Sequence, residues 1–267
     1  MSKFNTCWDR VARAEIHRQT LTKLWNRPGE NDAYTSRAQV DADGTGTFRV
    51  VPVDRGWVLP FSFELGEFLY QLRAALDSCI YDAAALHFEQ DPPPHEDKWE
   101  FVFGSNASEF EQAMRRMKKI IHDDVRGLME SVQPYMTKTA RLDEDTWHVG
   151  ETLWILNDWA RIDRHRRLHV CKNALRSGRV TLNLPPGMTQ ESLTINWRKL
   201  LEDECEVARF KIGNYVRGAD INVDCQLAFE VIVDETPRCG FGEASTAMMT
   251  CVQAVREMFE RHFGITR

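Results

Sequence analysis

The 267-residue sequence contains no long apolar run, and its mean hydropathy is −0.44. A membrane-spanning helix needs about 20 consecutive apolar residues, so none is expected. Residues Met1 to Trp8 lack the apolar stretch of a secretory leader, which points to a cytoplasmic protein. A large excess of one charge is also missing. The 34 Lys and Arg stand against 40 Asp and Glu, a net charge of −6 with a pI near 5.8. That balance excludes a protein held on nucleic acid or an anionic membrane by bulk charge. Seven cysteines are present, yet no two lie within ten residues of each other and no C-x-x-C occurs. A disulfide framework and a structural zinc site are therefore not expected, and reduced, buried thiols are. There is no Walker A run and no G-x-S-x-G elbow. Gly240-Phe241-Gly242 lacks the third glycine of a dinucleotide fingerprint. Repeats and low-complexity tracts are absent. Neither a cofactor nor a metal is expected.

What is there is a large apolar fraction, 43 %, with 10 % aromatics and eight Trp, enough for a real core. Phe4, Trp8, Val11, Ile16, Leu21 and Leu24 recur at helical spacing until Arg27-Pro28-Gly29. A hairpin is predicted next, with Arg37–Ala42 and Thr47–Val51 flanking an Asp43-Gly44 turn and Pro52 closing the second strand. The clearest helix carries the stripe Leu65, Phe68, Leu69, Leu72, Ala75, Leu76, Cys79, Ile80 and Ala83, and Asp91-Pro92-Pro93-Pro94 stops it. Ser108 and Glu111 read as a capping box opening a third helix. Its apolar face runs from Phe110 to Val132 and its basic outer face holds Arg115, Arg116, Lys118 and Lys119. A fourth helix is predicted from about Asp145 to His169. Its first half is apolar nearly all round, and its second half is dense in charge.

After residue 175 the period falls to two. Val180–Leu184, Leu193–Trp197 and Cys205–Ile212 read as strands, and 221–233 reads as one long strand with its odd-numbered residues inward. Met248, Val252, Val255 and Phe259 mark a last helix. Helices in a block followed by strands in a block predict an α+β fold. The expectation is one domain over 1–267: a mainly helical part to 175 with an early hairpin at 34–53, antiparallel strands over 176–235, and a covering helix over 244–264.

Chemistry concentrates on the fourth helix. At 100° per residue, Trp147, Glu151, Trp154, Asp158, Arg161, His165 and His169 share one stripe. One reading is a polar network. Asp158 can pair with Arg161 or Arg166, and Asp163 with Arg166 or Arg167, while Arg73 and Asp77 flank the second helix beside Tyr70 and Tyr81. His165-x3-His169 alone is a poor metal site, because Arg161 and Arg164 beside it would repel a cation. Arg164-x4-His169, with the polar His165 following the arginine, resembles the motif of HEPN ribonucleases. That resemblance implies a metal-independent homodimer acting on RNA, with histidine exchanging the 2′-hydroxyl proton and arginine stabilising the charged phosphorane.

A second resemblance covers more of the chain. Leu65–Asp77, Gln133-Pro134-Tyr135, Leu153–Asn157 and Ile162–Arg166 resemble a family of uncharacterised bacterial and phage-encoded proteins, with an L-R-x-A-L-D helix and a later D-K-H-R segment. Arg164 stands where the family usually has lysine. The resemblance implies the fold and the polar centre and assigns no activity. The expectation is a cytoplasmic accessory or interaction protein of bacterial or phage origin whose partner is another protein or a second copy of itself, with no membrane partner and with RNA entering only on the ribonuclease reading.

Overall fold

Apolar residues recurring every three to four positions coil into helices, and those recurring every second position extend. In the computed structural model, which describes residues 4–26, 34–52, 56–137, 149–165, 171–196, 200–201, 204–233 and 240–265, the chain runs α1 (Asn5–Trp25), β1 (Tyr34–Val40), β2 (Thr45–Pro52), α2 (Val58–His87), α3 (Ala107–Ala113), α4 (Asp123–Ser131), α5 (Pro134–Thr137), α6 (Val149–His165), β3 (Cys171–Asn183), β4 (Thr189–Ile195), β5 (Leu200–Leu201), β6 (Cys205–Gly213), β7 (Asn222–Val233) and α7 (Phe241–His262). The fold is α+β. Contacts gather the described residues into two compact units, each assembled from separate stretches of chain. One takes in Met1–Leu21, Phe63–His169 and Glu243–Arg267, and the other takes in Thr22–Ser62 and Val170–Gly242.

The first unit is helical. Leu65, Phe68, Leu69, Leu72, Leu76, Cys79 and Ile80 of α2 are fully buried. Leu153, Leu156 and Trp159 of α6 and Met248, Val252, Val255 and Phe259 of α7 are buried as well. The Phe4 and Phe259 rings, 6.3 Å apart, tie the start of α1 to α7. Residues 110–132 do not form the single helix that their periodicity predicts. α3 ends in a 3-10 turn at Met114–Arg116, and α4 starts afresh with His122 as its cap. A continuous helix would crowd Arg115, Arg116, Lys118 and Lys119 onto adjacent turns. Asp123 and Asp124 instead suit a new N-terminus. Of the predicted stripe Phe110, Met114, Met117 and Val125 are buried, whereas Ile121, Leu128 and Val132 are half-buried and Met129 is buried beside them. The cap of α3 also differs from the expected Ser108 and Glu111. Asn106 accepts the Glu109 N–H at 3.0 Å, and the Glu109 carboxylate accepts the Ser105 N–H at 2.9 Å.

The second unit holds both sheets, in strand orders β1-β2-β6-β4 and β5-β3-β7, with every pairing antiparallel. Phe48 and Val50 of β2, Val180 of β3 and Cys205, Val207 and Ala208 of β6 form one buried cluster, with Leu193, Ile195, Val223, Leu227 and Phe229 packed against it. The two sheets therefore share a core. Gly44 turns the β1–β2 hairpin at φ +82°, a conformation that disfavours any side chain. β7 alternates as predicted through Phe229, except that its inward residues Val223, Leu227 and Phe229 are half-buried, and Val231, Ile232 and Val233 are then all buried. A train of edge-on aromatic rings, Trp25, Trp57, Phe61 and Phe241, completes this unit at centroid spacings of 5.4, 5.6 and 5.3 Å.

Candidate functional site: the α2–α6 seam and the adjoining cleft

The helical unit brings α2 and α6 together through polar groups. Arg73 is only 9 % exposed, so each of its donors needs a partner. Its Nε donates to Asn157 Oδ1 of α6 at 3.2 Å, one Nη donates to Asp77 one turn along α2, and the other donates to the Phe101 carbonyl at 2.5 Å. Asp77 Oδ1 in turn accepts the Phe101 N–H at 2.8 Å. The Phe103 ring lies beneath the guanidinium at 5.3 Å. One arginine thus fastens three pieces of chain: α2, α6 and the extended segment around Phe101. Farther toward the start of α2, Gly66 lets α6 come close. A Cβ there would lie 2.6 Å from Asp163 Oδ2. A neighbouring cavity of about 30 Å³, lined by Gly66, Tyr70, Arg73, Asp163 and Arg164, is the volume of about one water molecule.

Asp158, Arg161 and Arg164, also singled out on α6, make no hydrogen bond to Arg73 or Asp77, although Arg164 lines the small cavity. Asp158 and Arg161 bond to each other at 2.5 Å. Arg164 is exposed, and its Nε donates to the Ala160 carbonyl at 3.2 Å. His165 is the last residue of α6, and Arg166 and His169 lie outside the described residues. Trp147 of the helical stripe also lies outside them.

Sequence reasoning missed Asn157, although it sits within the motif Leu153–Asn157. It also missed the role of Gln133 in Gln133-Pro134-Tyr135. That side chain is fully buried. It donates to the Val102 and Met129 carbonyls at 3.1 and 2.9 Å and accepts the Gly104 N–H at 3.0 Å. It fixes residues 102–104 against α4, directly after the segment that Arg73 holds.

Beyond the seam a cleft of about 580 Å³ opens on the same unit, lined by Asp9, Asp77, Tyr81, Asp82, Asp91 and Trp99 among others. Arg10 of its lining donates to Gln71 at 3.1 Å and lies over the Tyr70 ring at 5.7 Å. Asp82 accepts the Phe4 N–H at 2.8 Å, and the Trp99 indole donates to the Pro94 carbonyl at 2.8 Å. Burial, then the charges of Asp91, Glu96 and Asp82, raise the Tyr81 phenol above its ordinary value, consistent with a negative field on this wall. Among the described residues no group of three His, Cys, Asp or Glu side chains is placed to hold a metal ion. No helix among them is long and apolar enough to cross a membrane. No family profile, curated protein or solved structure matches the chain.

Proposed function

We propose that this chain is a non-enzymatic interaction protein, of the bacterial and phage-encoded kind its α2 and α6 motifs resemble, and that its acidic cleft receives the cationic side chains of a protein partner. The cleft carries this reading. In about 580 Å³ it gathers Asp9, Asp82 and Asp91 around Arg10, with Tyr81 and Trp99 supplying aromatic surface. Carboxylates select a cation, and ring faces add to that preference. Asp77 on its wall, with Arg73 and Asn157, supports the same view, because these side chains are engaged in joining chain segments. A HEPN-like, metal-independent ribonuclease acting as a homodimer is the second reading, and the exposure of Arg164 favours it.

Fluorescence anisotropy with a lysine-rich probe peptide tests the first reading. The full chain is expected to bind in a salt-dependent manner, with the Asp9→Asn/Asp91→Asn variant weaker by about tenfold. Absence of peptide binding, together with RNA cleavage that persists in EDTA and disappears in Arg164→Ala, would put the ribonuclease first.

A further inference from the structure

A second pocket on the helical unit has the opposite chemistry. It holds about 360 Å³, within the range of about 300–1,000 Å³ usual for small-molecule sites. The end of α2 supplies His87 and Phe88, the turn after the proline tract supplies His95, and the stretch leading into α4 supplies Lys119, Ile120 and His122. From these features we infer a binding site for a nucleoside phosphate, either a free nucleotide or one nucleotide of an RNA strand.

The polar side of the pocket offers donors. His122 turns its Nδ1 to the Asp124 N–H at 3.3 Å, which leaves Nε2 as the ring nitrogen that can meet a ligand. An imidazole Nε2–H at this position suits a phosphate oxygen. The Asp124 carboxylate stays beside Nδ1 at 3.4 Å and 4.0 Å from His262 Nε2. Lys119 adds a full charge, and the exposed run Arg115, Arg116 and Lys118 leads up to it. Arg116 and Lys118 lean toward Glu100 at 4.0 Å and Glu111 at 3.6 Å, whereas no acid of the described residues lies within ion-pair distance of Arg115 or Lys119. A local positive approach thus exists on a chain whose net charge is negative.

The apolar side explains why the ligand is more than a bare anion. Phe88 is a large ring left 37 % exposed. The His87 ring meets it edge-on at 5.0 Å and lies 4.7 Å from the His122 ring, tilted by 42°. Such rings offer faces on which a nucleobase stacks, whichever base it is. Ile120 contributes further apolar wall.

Isothermal titration of the full chain with adenosine monophosphate tests this site. The nucleotide is expected to bind, with adenosine and inorganic phosphate each weaker by about tenfold or more, because each keeps only one half of the contacts. Lys119→Glu and Phe88→Ala, both at exposed positions, are expected to weaken the nucleotide by about tenfold while leaving the far-ultraviolet circular dichroism unchanged. His122→Asn keeps an N-capping side chain and removes the ring donor, and it should weaken binding with α4 intact. A short oligoadenylate that binds more tightly than the mononucleotide, and loses that gain in Arg115→Glu, identifies the source as a strand. Equal binding identifies a free nucleotide. Failure of adenosine monophosphate to bind, or binding indifferent to both Lys119→Glu and Phe88→Ala, overturns the inference.

Discussion

Two arginines of the helical unit each face an acid four residues on, and they do opposite work. Arg73 and Asp77 on α2 reach out of their own helix to Asn157 and to both polar groups of the Phe101 backbone. Arg256 and Glu260 on α7 turn to each other at 3.1 Å, and the Trp8 ring covers the guanidinium at 4.3 Å. Exposure separates them further. The Asp77 side chain is 35 % exposed, while the side chains of Arg256 and Glu260 are 7 % and 8 % exposed. Equal spacing along a helix therefore says little about what an ion pair does. The first pair joins chain segments and keeps one foot in water. The second is a dry pair in which the Arg256 Nε and Nη1 have no hydrogen-bond partner among the described residues.

The largest effect should come from breaking the dry pair. Arg256→Ala is expected to destabilise the fold by about 3–5 kcal/mol, since Glu260 is left buried beside its lost cation. Replacing both members with apolar residues of similar volume, Arg256→Met with Glu260→Leu, should recover most of that loss. Arg73→Ala should cost about 3 kcal/mol, the lower end of the same range, because Asp77 is partly wet and keeps the Phe101 N–H. Here the double replacement Arg73→Met with Asp77→Leu should recover little, since the Phe101 carbonyl and N–H and the Asn157 amide lose their partners. Urea denaturation of the four variants measures the contrast. Recovery in both double variants would show that the α2 pair is no more than a local helix pair.

Gly66 sharpens the comparison from the other side of the seam. Gly66→Ala places a methyl against the Asp163 carboxylate, and overpacking of this kind costs about 1–3 kcal/mol. Adding Asp163→Ala should offset part of that loss by removing the clash. Strict additivity of the two substitutions in a double-mutant cycle would mean that α6 does not approach α2 at this point.

The difference between the pairs also marks how far the sequence could be read. The stripes of α2 and α7 and the alternation of β7 are legible because each depends on local period alone. Arg73 and Asp77 stand out because they sit on the flank of an otherwise apolar helix. Their partners do not, since Asn157 is one amide in a mixed helix and the Phe101 groups are backbone. The break inside residues 110–132 is hidden because both half-helices keep the apolar spacing, and only the crowded basic residues and Asp123-Asp124 mark it. The grouping of distant stretches into two units, and the two pockets with their opposite charge, depend on which turns meet in space. Asp9, Asp82 and Asp91, or His87, His95 and His122, are scattered along the chain, and no spacing announces them.

The smallest effect belongs to an ion pair at the surface of the other unit. Asp43 opens the β1–β2 turn, where it accepts the Thr45 N–H at 2.9 Å and meets Lys211 Nζ at 3.0 Å. The Thr45 N–H first, then Lys211 and the Thr45 hydroxyl, hold its carboxyl at about 2. An aspartate in the unfolded chain titrates near about 3.9. Because the folded value is the lower one, the carboxylate supports the hairpin fully above about 3.9, and that support is lost as the pH falls toward about 2. Stability should therefore decline through this window, by less in Asp43→Asn, which keeps the turn-forming acceptor but has no proton to take up. A carbon-13 titration of the Asp43 carboxyl gives the midpoint directly. A midpoint at the ordinary aspartate value would mean that Lys211 and the Thr45 N–H do not hold the turn in solution. An exposed pair would then rank below both helical pairs, with no measurable share in the fold.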